Sequence, residues 1–541
     1  MTEPQLWLLA LGPLALAAVA VMPAAWASRH PLFVARMAWA AGMAALALTV
    51  AATGIELAFG SAVLRTGTIG FAGVGFALQL DALSAMVALL VAFVGTVVIG
   101  YSRNYLDGDP GHGRFMQGLS LTLASVLLLI LSGNLFQLAL AWAATSLGLH
   151  RLLLFYRQRP AAILAARKKF IASRIGDLCL VGAMVLAYRS FGSLDFAAIQ
   201  QGAKALHDAA VIPGGIHGLA ALLVVAGLLK CAQFPMHGWL LEVMETPTPV
   251  SALLHAGIIN AGGFLLLRFA DVLVLSGPAL DGLLLAGGIT ALFGSLVMMT
   301  QTSVKVSLAY STIAQMGFMM LQIGLGAFSA ALLHLVAHSL YKAHAFLSSG
   351  SIIDLQRSPG ATASSGRPHP ARLLFAIGLV LATTLAASTV SGVTPSSQPG
   401  VFALAVILML GLTHLISQAI DEGPGFAVIG RVVLLAACVA TAYFGLQWLA
   451  ARLTADVLPS ALALRGPFDL AIIAIVVSGF AAIIVVQGLL PNRIETPRWQ
   501  RWHAHVVNGF YVNTIANRLV LRFWPTAPAR QFAATTTGRK S

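Results

Sequence analysis

In the stretch HLVAHSLYKAH, three histidines and a lysine, His334, His338, Lys342 and His344, recur at helical intervals. Positions 334, 338 and 342 are successive i,i+4 neighbours, so two imidazoles and an ammonium share one stripe about two turns long. Zinc ligation is one chemistry such spacing suggests. It is disfavoured here, because lysine is a poor zinc ligand at neutral pH, no carboxylate or third imidazole shares the face, and the Cys/His spacing of structural zinc is absent. Imidazole and amine both take up and release protons, and a hydrated proton relay fits the pattern better.

The relay residues have company. Lys230 lies in GLLKCAQFPMHGWLLEVMETPTPVSALLHAG, Gly227 to Gly257, and apolar residues run up to it from Leu219 without a charge. Pro235 removes a backbone donor and the prolines at 247 and 249 end the element, which predicts a helix broken near mid-membrane with carbonyls freed beside the ammonium. Discontinuous helices with ionisable groups at the midplane are how ion-coupled transporters are built; a snorkelling lysine or a packing kink is the alternative. His255 follows, then Lys305 at a helix start, while Arg174 and Asp177 in SRIGDL are three apart and partly neutralise each other. An ionisable group inside a span costs roughly 2.5–3.5 kcal/mol on insertion scales, so the set reads as a pathway for protons or sodium ions.

The elements that must position these groups are membrane helices. Of 541 residues 58% are hydrophobic and 9% charged, against about 25% charged in a soluble domain. Apolar runs long enough to span recur near 6–27, 34–59, 77–101, 117–133, 135–156, 170–188, 216–246, 249–272, 280–300, 306–326, 329–353, 372–393, 400–420, 427–450 and 467–490. The expectation is an all-α polytopic membrane protein of about fifteen transmembrane helices. The first run, Leu6 to Trp26, lacks a basic segment before it and reads as a retained helix. Cys179, Cys231 and Cys438 read as buried packing thiols.

The net charge of +14 reflects 32 basic and 18 acidic residues. Spread over loops, it follows the positive-inside rule and implies no nucleic acid. A loop at 151–169 holds Arg151, Arg157, Arg159, Arg167, Lys168 and Lys169; a loop at 354–371 holds Arg357 and Arg367; the tail after 491 holds eight more basic residues. All fall on one side if the N-terminus is outside and the C-terminus cytoplasmic in a bacterial inner membrane. RSPGATASSGRPHP, 357–370, reads as a flexible loop, and the tail as an amphipathic segment that docks.

LKCAQFPMHGWLLEVMETPTPVSALLHAG, VKVSLAYSTIAQMGFMML and LHLVAHSLYKAHAFLSSGSII resemble the seventh-to-eighth, tenth and eleventh helices of the antiporter-like subunits of respiratory complex I and Mrp antiporters, of the NuoL type. With the weaker YSRNYLDGD and SRIGDL, the resemblance covers roughly residues 75 to 420. It implies two inverted five-helix repeats containing broken helices, here 117–272 and 273–425, flanked by transmembrane helices at 1–116 and 426–490 and a tail at 491–541. It makes Lys230 the central proton-carrying lysine, His255 its neighbour, and Lys342 with His334 and His338 the connection to the second repeat. Arg174 and Asp177 match the charged sixth-helix pair. Two departures suggest a rewired or reduced pathway: Ala143 in AWAATSLGLHR stands where that family has a glutamate, and STVSGVTPSSQPG lacks the second-repeat lysine.

The tail motif HAHVVNGFYVNTIANRL resembles the C-terminal signature of the DabB family, membrane subunits of inorganic carbon accumulation complexes. That resemblance implies a DabA-like zinc partner on the cytoplasmic side, related to β-carbonic anhydrases. Ion flow through this chain would drive its one-way hydration of carbon dioxide to bicarbonate. No cofactor is expected in this chain and no catalysis by it; zinc is expected in the partner. Trp502, His505, Asn508, Phe510 and Tyr511 are the expected docking residues. Two other functions remain open, a proton-translocating subunit of a complex I or Mrp-type assembly, and a non-conducting membrane anchor.

Overall fold

A computed structural model describes residues 6–59, 64–71, 74–156, 158–350, 370–394, 397–421, 426–463, 465–489 and 496–525. The expected loop with Arg357 and Arg367, and the basic residues Arg493, Arg530, Arg539 and Lys540, lie outside the described residues.

Among the described residues ten helices are long and apolar enough to cross a membrane, and three shorter apolar ones, Trp7–Ala20, Gly214–Lys230 and Pro399–Thr413, accompany them. Leu135–Leu153 and Phe328–Leu347 also stand where crossings were expected. Each is too polar to read as an ordinary span, the first carrying His150 and Arg151 and the second the histidine–lysine stripe. The chain is a polytopic helical protein, with two corrections. Two short antiparallel pairs, Leu64–Arg65 with Gln79–Leu80 and Ile69–Phe71 with Val74–Phe76, interrupt the all-α expectation. An amphipathic helix, Phe196–Asp208, lies between spans where none was expected.

Local chemistry explains the boundaries. Asp81 caps Ala82–Tyr105 by accepting from the Ser84 amide at 2.9 Å, and Ser84 returns the bond in a capping box. Asn134 caps Leu135–Leu153 through the Gln137 amide at 2.8 Å, and Asp195 caps Phe196–Asp208. The segment expected as one helix over 6–27 divides at Pro23, where Ala24–Arg29 begins. Gly277–Met298 and Val304–Gly324 press so closely that a Cβ on Gly287 would stand 2.4 Å from the Leu321 nitrogen; small residues permit such contact between membrane helices.

Outward faces are apolar, with Leu178, Trp448 and Val390 exposed, while charged groups turn inward, the reverse of a soluble protein and the arrangement a bilayer demands. Cys231 is buried as expected and Cys179 partly so, but Cys438 is exposed on such a face, where an apolar segment packs lipid instead of protein.

One inward pair holds the fold together. Arg268 bonds both oxygens of Asp81, the second at 3.1 Å, with both side chains almost wholly buried. Removing one partner leaves an uncompensated charge, so Asp81→Ala is expected to destabilise the protein by about 3–5 kcal/mol. Thermal unfolding in detergent measures it; an unchanged midpoint would show the pair to be dispensable.

The largest correction concerns the basic segment at 151–169. The Pro160–Phe191 helix begins at Pro160, so Arg167, Lys168 and Lys169 are helical residues, and both lysines are buried. They still lie at the end of the bundle occupied by the tail: the Arg167 guanidinium donates to the Trp524 carbonyl, and Gln301 Nε2 to the Val507 carbonyl at 3.0 Å.

Candidate functional site: a polar line through a broken helix

The helix carrying Lys230 spans Gly214–Lys230 and stops there, with Cys231 as its cap. Backbone direction is regained at Gly238–Leu241 and a 3-10 turn over Glu242–Glu245. Between them Ala232 takes φ +49°, a left-handed conformation costly for a residue with a Cβ. The chain therefore breaks where Pro235 and the buried charge predict.

Lys230 makes no ion pair among the described residues. Its Nζ stands 4.4 Å from the centre of the Trp142 ring, and an aromatic face attracts a desolvated cation by up to about 2 kcal/mol. The ring belongs to the residue just before Ala143, where the resemblance implies a glutamate. A cavity of about 10 Å³, near the minimum for one water, is lined by Lys230, Trp142, Lys169 and Trp239. Lys169 donates to the Ser146 hydroxyl at 2.7 Å and to the Ser146 carbonyl. Asp177 is the carboxylate whose charge reaches both ammoniums. It is held by Arg174 at 2.8 Å and keeps one oxygen without a protein partner. The Arg174–Asp177 pair anticipated from spacing is thus made.

From Lys230 the line continues through backbone contacts. The Cys231 thiol donates to the Ile259 carbonyl at 3.1 Å, and Asn260 Nδ2 to the Ser339 hydroxyl at 2.6 Å, which ties Thr248–Ala256 and its continuation to Phe328–Leu347. There the structure brings His255, His334, His338 and Lys342 together. The rings of His334 and His338 are 6.1 Å apart, and His255 stacks on Phe346 at 4.3 Å. His338 Nε2 faces the His255 carbonyl at 3.1 Å while Nδ1 faces the Gln315 side-chain oxygen. Two acceptors are satisfied together only by a doubly protonated ring; a neutral ring requires the Gln315 amide to turn and donate. Such a pair can hold or release one proton without leaving a buried atom unpaired. Lys342 is fully buried and donates to the Leu308 carbonyl at 3.2 Å. Lys305, at the start of Val304–Gly324, donates to Thr248 Oγ1 at 3.1 Å, beside the prolines that end the break.

Both nitrogens of His255 and of His237, Trp239 Nε1, Gln233 Oε1, Ser251 Oγ and Asn260 Oδ1 are buried without a protein partner. Each would cost about 1–3 kcal/mol if kept dry, so their alignment suits a path that water or a cation traverses.

The tail folds onto this line. Pro497–Val507 and Val512–Phe523 are joined by an elbow in which Gly509, Phe510 and Tyr511 take φ of 56°, 51° and 62°. Asn513 and Asn517, one turn apart, grip a largely buried pair: the three N–H groups of Lys168 Nζ are shared among four acceptors, Glu242 Oε1 at 2.6 Å, Asn513 Oδ1 at 2.7 Å, Asn517 Oδ1 at 2.6 Å and the Gly238 carbonyl at 3.1 Å. A Cβ on Gly238 would stand 2.1 Å from Asn513 Oδ1, so any side chain there would displace the Asn513 amide from Lys168. All five expected docking residues, Trp502, His505, Asn508, Phe510 and Tyr511, are exposed. His505 packs edge-on to Tyr511 at 5.7 Å, and Asn508 turns back to the Ala504 carbonyl at 2.7 Å. Lys168, Lys169, Trp142, His237, Gln315 and Glu242 were not read from the sequence as part of the site.

Residues 132–388 match the family described as NADH:quinone oxidoreductase/Mrp antiporter, TM, and residues 68–116 that described as NADH-Ubiquinone oxidoreductase (complex I), chain 5 N-terminus. The chain is 40% identical over 537 residues to the probable inorganic carbon transporter subunit DabB2 of Halothiobacillus neapolitanus, covering 97% of this chain and 95% of that one. It belongs to the DabB family of antiporter-like membrane proteins. The probable inorganic carbon transporter subunit DabB of Hydrogenovibrio crunogenus is also 40% identical, over 81% of each chain. NADH-quinone oxidoreductase subunit L of Mycobacterium tuberculosis is 35% identical over 64% of this chain and 55% of that one. Among solved structures, the Mrp complex from Dietzia matches with a TM-score of 0.63 at 24% identity, over 95% of this chain and 59% of that one, a likeness of fold. Family membership extends past the antiporter-like motifs, because the DabB2 match runs nearly end to end.

Proposed function

We propose that this chain is the cation-conducting membrane subunit of an inorganic carbon transporter, placed in a bacterial inner membrane with the tail cytoplasmic. Protons, or sodium ions, move along the polar line that comprises Lys305, Lys342, His338, His334, His255, Lys230, Asp177 and Arg174. Their movement energises a DabA-like zinc partner that hydrates carbon dioxide to bicarbonate in one direction. The observation that carries the reading is the near end-to-end identity with a probable inorganic carbon transporter subunit, whereas the match to the respiratory subunit covers 55% of that chain. The partly buried ammonium of Lys230 over Trp142, without an ion pair among the described residues, supports ion conduction over a passive anchor, since such a group is costly to retain without use. The zinc partner would supply the metal-activated water that hydration requires, and Trp502, His505, Asn508, Phe510 and Tyr511 would form its seat.

Coexpression with the zinc partner in bacteria unable to grow at ambient carbon dioxide tests this. Growth is expected to be restored by both proteins together, by neither alone, and to be abolished by an uncoupler. Restoration that survives the uncoupler, or by this chain alone, would overturn the proposal.

A further inference from the structure

The tail does not hang from the bundle; it holds the break. Asn513 and Asn517 donate to Glu242 and accept from Lys168, which also donates to the Gly238 carbonyl; Glu242 and Gly238 belong to the segment resuming after Lys230. Lys168, at the centre of that knot, is the sequence neighbour of Lys169, which lines the Lys230 cavity. A second grip is aromatic. Phe510 of the elbow faces Phe293 at 6.4 Å, and Phe293 packs against Phe234 and His237, both inside the break, at 4.9 Å each. Gly509 lies against Tyr310, whose ring is 6.4 Å from His237. The elbow between the grips is left-handed at two residues that bear side chains, a conformation that persists where surrounding contacts impose it.

We infer that the tail is the reader of the broken helix. Asn513, Asn517, Glu242 and Lys168 are positioning residues that pass a rearrangement at Lys230 to the surface bearing Trp502, Phe510 and Tyr511. The inference rests on the function proposed above and adds the joint that function needs, because two sites are coupled only through an element whose states both distinguish. When the Lys230 charge moves, the segment after the break shifts, the four acceptors around Lys168 no longer converge, and the elbow is free to relax. Glu242 is the carboxylate of the knot, and its second oxygen is buried without a protein partner, leaving it one acceptor with which to take a new arrangement.

The test uses inside-out membrane vesicles holding the full chain with its copurifying zinc protein, comparing wild type, Glu242→Gln, and the paired variant Asn513→Ser with Asn517→Ser. Two quantities are read: bicarbonate formed per proton passed from the acidified lumen to the outer, cytoplasmic face (the direction of uptake in the cell, measured by lumenal pH), and chymotryptic cleavage after Phe510 and Tyr511 with and without an imposed pH gradient. In wild type the gradient is expected to alter cleavage at the elbow. In both variants that response is lost and bicarbonate per proton falls about ten-fold, a typical size for coupling between sites, while partner binding and proton uptake persist. Elbow cleavage indifferent to the gradient in wild type overturns the inference even where uptake is normal. So does an unchanged ratio in the variants, and so does loss of partner binding together with uptake in both, which marks the knot as structural. Absence of gradient-driven uptake in wild type counts instead against the proposed function, and the cleavage response still decides the inference.

Discussion

Alanine at position 230 is expected to lower gradient-driven bicarbonate accumulation by about 100-fold, the low end of what a positioned proton-transfer group contributes. The chain should still insert and bind its partner. Lys230 is fixed by the Trp142 ring and lines a cavity with room for little more than one water. Deleting its amine removes the exchangeable group between Asp177 and the histidine cluster, and nothing nearby can take its place except Lys169, whose amine is committed to Ser146. Stability should not suffer, since a buried cation without a paired carboxylate is replaced by an apolar group. Lys230→Arg separates charge from proton exchange. It preserves the cation over the ring, but a guanidinium does not give up its proton, so the arginine variant should be as inactive as alanine if protons are the ion. Bicarbonate uptake in cells coexpressing the partner checks both; wild-type uptake in Lys230→Ala would remove the lysine from the pathway.

Deleting residues 497–541 is the second large effect. The truncation should release the zinc partner and abolish uptake while the bundle still inserts. The exposed aromatics Trp502, Phe510 and Tyr511 go with it, as do the oxygens of Asn513 and Asn517 on Lys168. Glu242 and the Gly238 carbonyl remain to hold the ammonium. Affinity purification of the truncated chain after coexpression is the check. Recovery of a stoichiometric zinc partner with full uptake would take the tail out of the mechanism.

Much of this site could be read from residue order. Periodicity alone placed His334, His338 and Lys342 on one face, spacing paired Arg174 with Asp177, and the prolines after Lys230 announced the break. Those signals are local, set by helix geometry and by proline's missing donor. What stayed hidden is non-local. Lys168 and Lys169 look like two more loop cations, because a count of basic residues is blind to which of them the fold buries. Asn513 and Asn517 meet Lys168 across 345 and 349 residues of chain, and neither asparagine carries a charge or a period to announce it. Trp142 reads as core, and its role as support for Lys230 depends on ring orientation. The resemblance implies a glutamate at Ala143 that this chain lacks; in the structure Lys230 stands over the face of the preceding Trp142. Leu135–Leu153 and Phe328–Leu347 begin where expected, though their polar residues make them less apolar than the other spans.

The central claim is that ions passing Lys230 drive hydration in a partner that this chain holds. Liposomes containing the reconstituted pair, supplied with carbon dioxide under an imposed pH gradient, measure it directly. Bicarbonate should exceed its equilibrium level only with the gradient present and only with Lys230 in place, returning to equilibrium when an ionophore collapses the gradient. Bicarbonate above equilibrium without a gradient, or equally in Lys230→Ala, would contradict the account.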